Sequence, residues 1–152
     1  VEDLSVAGLK LVIPEDVVLD AVDSQVARAF TAAVSRLSAA GAHILELPMR
    51  LLADAKDLYL ISPYEAYPRH KALLSPKTEA LLASDEAFFE ANRLLLRNTS
   101  IINLLDGCAI SLPCHREGEL PVGFSFASVA MQDARVAAIA RAAEAIFAQA
   151  RL

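Results

Sequence analysis

The chain has 152 residues and a net charge of −5 from 14 basic and 19 acidic side chains, and its basic residues stand singly, so it lacks the basic stripe that a phosphate backbone requires and nucleic acid is not an expected partner. No apolar run approaches the ~20 residues of a membrane helix, Val1-Glu2-Asp3 has no signal-peptide character, and two cysteines are too few for a secreted disulfide framework, which together point to a cytoplasmic protein without a membrane partner. A hydrophobic fraction of 55% with 6% aromatics and no Trp, at a mean hydropathy of +0.41, is rich for one self-contained α/β domain and suggests surface that something else covers.

The first predicted element is a β-branched run over residues 9–13, ended by Pro14. A loop carrying Asp16, Asp20 and Asp23 leads to clean helical spacing, with Val26, Phe30, Ala33, Val34 and Leu37 on one stripe and Arg28, Ser35 and Arg36 turned away. Asp23 or Ser24 fits an N-cap and Gly41 a C′ glycine. His43 to Leu47 returns as a strand, stopped by Pro48. Strand, helix and strand in this spacing predict a right-handed βαβ unit with a parallel pair.

Residues 51–69 are helical in pattern, with Leu52, Ala55, Leu58 and Tyr59 on one side. Ser62-Pro63-Tyr64-Glu65 reads as a capping box that ends or kinks this helix. Ser75-Pro76 opens a further helix carrying Leu81, Leu82, Phe88, Phe89, Leu94 and Leu95. Leu73 to Pro76 is a break between them, within an irregular region near 70–85.

The most distinctive stretch runs from Arg97 to Phe126. A helical or turn-like piece (99–105) passes through Asp106-Gly107 into a β run over 108–112, closed by Pro113. A polar turn, Arg116-Glu117-Gly118-Glu119, precedes Leu120-Pro121 and a second β run over 122–126. Glycine turns without steric cost, and Pro113 and Pro121 cannot donate to a ladder, so Pro113 closes one strand and Pro121 opens the next. A last helix follows, capped by Asp133, with Val136, Ile139, Ala143, Ile146 and Phe147 at helical spacing. Layer rules then predict an α/β fold, a mixed sheet of about four strands flanked by helices, over residues 1–152.

Arg97, Thr99, Asn103, Gly107, Ala109, Ser111 and Pro113, then Leu120-Pro121-Val122-Gly123 and finally Glu144, resemble the C-terminal part of the amidase signature family. The opening Ala7 to Pro14 and the βαβ ending Ala40 to Leu47 are similar to the segment that family places after its catalytic region. The resemblance implies the corresponding part of the amidase fold, with Arg97, Asn103, Gly107, Ser111, Pro113, Pro121 and Gly123 as structural motif positions. The family's chemistry rests on a Ser, cis-Ser and Lys triad, with the nucleophilic Ser in a Gly/Ser-rich loop. Here the five glycines are never adjacent, and Lys10, Lys56, Lys71 and Lys77 lie outside the expected context.

Other candidate sites are read more plainly. Cys114-His115 has the residue types of a nucleophile and base, but sequence neighbours at a strand end point apart, and we expect small buried thiols at Cys108 and Cys114 and a surface histidine. These three lack a fourth ligand at metal-binding spacing. Ser111 lacks the strained elbow that exposes a nucleophile. His43 and His70 are isolated, Asp54 and Asp57 form an ordinary solvated pair, and Asn98-Thr99-Ser100 matches a glycosylation acceptor by chance at a helix start.

The sequence therefore leads to a C-terminal portion of an amidase, inactive alone, with no catalytic, cofactor or metal residues of its own. Its expected partners are the remainder of the amidase chain or a second copy, and a small amide substrate in the intact enzyme. The alternative is a non-catalytic α/β binding or interaction module.

Overall fold

A computed structural model describes residues 4–52 and 96–148. The helix expected over 51–69 is described only at its start, where residues 50–52 are helical; the rest of it, the helix opened by Ser75-Pro76, the region near 70–85, and Asp54, Asp57 and His70 lie outside the described residues. Strand β1 (Lys10–Pro14) leads through a loop to helix α1 (Ser24–Ala39) and strand β2 (His43–Leu47). A helical segment over 96–104 precedes β3 (Cys108–Pro113), β4 (Gly123–Ser128) and helix α2 (Asp133–Ala148).

The βαβ expectation holds in its pairing. β1 and β2 are parallel, in register from Lys10 opposite His43 to Pro14 opposite Leu47. Asp23 caps α1, its carboxylate accepting from the Gln25 N–H at 2.6 Å. Gly41, at φ +94, ends the helix in a Schellman arrangement. Its N–H donates to the Ser38 carbonyl at 2.9 Å and the Ala42 N–H to that of Leu37 at 3.0 Å, which satisfies carbonyls the last turn would leave bare.

The single mixed sheet of about four strands is not formed among the described residues. β3 and β4 pair antiparallel with each other, and the two pairs are separate two-stranded sheets. Each described strand finds its ladder in a nearby strand of the sequence, through a βαβ crossover or a hairpin, and among the described residues no ladder joins the pairs. What joins them is side-chain packing in one core. Ala29, Ala33 and Leu37 of α1, Leu112 of β3, Phe124 and Phe126 of β4, and Val136, Ala140, Ala143 and Phe147 of α2 are buried together, with Leu11 of β1 and Ile44 of β2 packed against them.

Phe124 is the centre of that core. Its ring stacks on Phe30 of α1 at 5.1 Å and meets Phe147 of α2 edge-on at 5.6 Å and Phe126 at 5.1 Å, geometries that aromatic quadrupoles favour. Two sequence expectations shift. Ala29 is buried in α1, whereas Val26, Phe30 and Val34 are half-buried. Asp133 is the first residue of α2 and supplies an acidic group to its first turn, where a negative charge meets the helix dipole. A smaller cluster of Val17, Leu52 and Ile101 sits apart from the main core. Among the described residues no helix is long and apolar enough to cross a membrane.

Candidate functional site

The motif stretch folds into two linked devices, a clamp and a hairpin. The clamp is the helical segment over 96–104. Arg97 donates through Nη1 to the Asp20 carbonyl at 2.7 Å and through Nη2 to the Val18 carbonyl at 3.2 Å, and Asn98 Nδ2 also reaches the Val18 carbonyl at 3.2 Å. Arg97 Nε bonds Asn98 Oδ1 at 3.3 Å, so the two side chains act as a unit. They hold the loop after β1, in which Val17 and Ala21 have φ values of +65 and +50. For residues with a Cβ, and for a β-branched one most of all, that region is strained. The Asp16 carboxylate accepts from the Met49 N–H at 2.7 Å and ties the same loop to the exit of β2.

Gly107 joins clamp to hairpin. Its N–H donates to the Ile102 carbonyl at 2.9 Å, and a Cβ there would lie 2.8 Å from the Ser128 carbonyl oxygen. The position needs glycine because backbone occupies the space. Asn103 is exposed and contributes through its carbonyl, which accepts from the Asp106 N–H at 3.1 Å, in keeping with a turn residue.

In the hairpin, Ser111 faces Ser125 across the ladder, and Pro113 faces Gly123. A Cβ on Gly123 would sit 2.5 Å from Ser111 Oγ, so the motif serine and the motif glycine are packed on each other. Alternation puts Ala109, Ser111, Pro113, Gly123, Ser125 and Ala127 on the exposed face, and Leu112, Phe124 and Phe126 in the core. Pro113 is the last residue of β3, as expected. β4 begins at Gly123, two residues after Pro121, and runs to Ser128, beyond the expected end at Phe126. The polar turn is real. Gly118 has φ +79, and the Arg116 N–H donates to Glu119 Oε2 at 3.1 Å.

Cys114 and His115 are brought to different tasks. Cys114 is buried and its N–H donates to the Val122 carbonyl at 2.9 Å. The imidazole of His115 is half-buried, not on the surface, because its Nδ1 accepts from the Val122 N–H at 3.3 Å. It extends the hairpin by standing in for backbone. Cys108 is half-buried, and its thiol donates to the Val129 carbonyl at 3.4 Å. Ser111 has a serine opposite and a glycine diagonally, neither of them a base. Among the described residues no group of three His, Cys, Asp or Glu side chains is placed to hold a metal ion.

Sequence reasoning missed the clamp. Arg97 was singled out as a motif position, but nothing marks Val17 and Ala21 as left-handed, since the usual Gly or Asn signal is absent. The link from Gln25 Nε2 of α1 to the Leu120 carbonyl at 3.0 Å is equally silent in sequence, spanning chain positions far apart.

No family model matches the chain, and no solved structure matches it. Among curated proteins it is 25% identical over 206 residues to 2-amino-5-chloromuconic acid deaminase of Comamonas testosteroni, a match covering 95% of this chain and 44% of that protein. The chain thus spans less than half the length of this relative. Because 206 aligned residues exceed the 152 of the chain, the relative carries residues within the matched stretch that have no counterpart here.

Proposed function

We propose that this chain is the C-terminal portion of an amidase-type hydrolase, a protein that breaks C–N bonds through an acyl-enzyme, and that it supplies scaffold while the nucleophile belongs to a different segment. The observation that carries the reading is the match along 95% of the chain to 44% of a deaminase, an enzyme whose name also describes cleavage of a C–N bond. The motif residues support it by what they do. Arg97 braces a loop, Gly107 and Gly123 permit close packing, and Ser111 has no base opposite it.

In this reading the exposed faces of the two sheets are covered by the remainder of the enzyme. Parallel strands are normally buried on both sides, yet Val12, Leu45 and Leu47 on the outer face of the first pair are 46%, 43% and 45% exposed. Assays of the purified chain with simple aryl amides test the assignment. The expected result is no turnover above buffer, with activity regained only when a Ser/Lys-containing amidase segment is supplied. Robust serine-dependent turnover by the chain alone would overturn it.

A further inference from the structure

Along α1 part of the inner face of the parallel pair, beside Ile13, Ile44 and Glu46, is open among the described residues. Two adjoining clefts of about 790 and 270 Å³ lie there and share Val34 and Glu46. Ile13, Ile44 and Val34 give the groove an apolar floor and wall. Glu15 and Glu46 are the charged side chains lining it, and no described basic residue is paired with either.

We propose that this groove takes α1 of a second copy of the chain, forming a two-fold pair of antiparallel helices in which Arg28 of each copy meets Glu46 of the other. The groove runs beside α1, so the helix that walls it on one copy is the helix that fills it on the other, as an isologous contact requires. Thr31, Val34, Ser35 and Ser38 share one side of the helix, and their small size allows the ordinary interaxial distance of about 8–10 Å or closer. The Ser35 hydroxyl already donates to the Thr31 carbonyl at 2.9 Å, so closing the contact does not strand that hydroxyl.

The charges select this occupant. Arg28 is exposed and lies about one turn before Thr31 on the same side. With the two-fold axis near residues 31–34, antiparallel packing carries Arg28 to the level of residues 35–38 of the other copy. Ser35 and Ser38 line the same cleft as Glu46. The carboxylates of the groove and the cation on the rim of its own wall are thus complementary across the axis.

Sedimentation of the full chain tests the proposal, with circular dichroism confirming that each variant is folded. The expected wild-type species is a dimer at about 100 µM, and R28E or E46K alone weakens dimerisation about tenfold or more, since symmetry breaks two pairs at once. The doubly substituted R28E/E46K chain regains dimerisation to within about threefold. A monomer at that concentration, a dimer indifferent to both single reversals, or a double variant no better than the singles would each overturn it.

Discussion

Gly107 and Gly123 look alike as punctuation, but the space around them differs. At Gly107 a Cβ would meet the Ser128 carbonyl oxygen at 2.8 Å and Ile102 at 3.2 Å. Backbone must then move, and Gly107→Ala is expected to cost about 1–3 kcal/mol. At Gly123 the obstacle is Ser111 Oγ, an exposed hydroxyl that turns about one bond. Gly123→Ala therefore costs about 1 kcal/mol, and adding Ser111→Ala removes that cost, because the next atom, Ser111 Cβ, lies at 3.8 Å. Urea denaturation of the two single variants and the double variant measures the contrast. Equal losses at both glycines, or no recovery in the double variant, would refute the steric account. At this scale the sequence was legible where glycine and proline impose geometry. It was silent at Val17 and Ala21, whose φ values come from what holds the loop and not from their own preference.

The elements set the next scale. α1 was readable from cap to C′ glycine because each signal in it is local: Asp23 bonds two residues on, and Gly41 closes the Schellman turn. The loop between β1 and α1 was not, since its shape depends on Arg97 and Asn98 about 80 residues away. Arg97→Ala should accordingly destabilise by about 1–2 kcal/mol, the low side for hydrogen bonds from a charged donor because the group is only half-buried. Its signature is regional: hydrogen exchange should quicken in residues 15–22 and leave the hairpin amides unchanged. Uniform quickening would mean that Arg97 supports the whole fold. Relieving strain works in the other direction. Ala21→Gly is expected to stabilise by about 0.5–1 kcal/mol, after the extra chain entropy of glycine is set against the relief.

For the molecule as a whole, the helix of the βαβ unit meets the hairpin and the last helix chiefly through packed rings, and among the described residues no ladder joins the two sheets. Phe124 touches Phe30, Phe126 and Phe147 at once, so Phe124→Ala should cost about 3–5 kcal/mol and lower the denaturation midpoint for both sheets together. A midpoint that falls for the hairpin alone would show that the parallel pair is stable independently. The apolar periodicities of α1 and α2 revealed which faces enter this core, but how strands pair beyond nearest neighbours depends on backbone edges, which no side-chain pattern reports. Hence the elements among the described residues follow the sequence pattern, while a single sheet of four strands is not formed among them. The same reasoning explains the incomplete candidate site. Motif positions are visible in sequence because they solve local steric problems, while a catalytic set is a spatial meeting of distant side chains.

Two pairs of strands, where one sheet of four was expected, also change how the chain meets other chains. Among the described residues every strand has one side unladdered, giving four bare edges where a single sheet would have two. Edges of this kind template further strand addition unless proline, charge or a covering element blunts them. Pro14 and Pro113 blunt one end of β1 and β3, and the β2 run His43–Leu47 has no proline within it. Among the described residues these open ladders, as much as the hydrophobic core, are where a further strand can add, so the chain's contacts with other segments are set by backbone edges as well as by apolar faces.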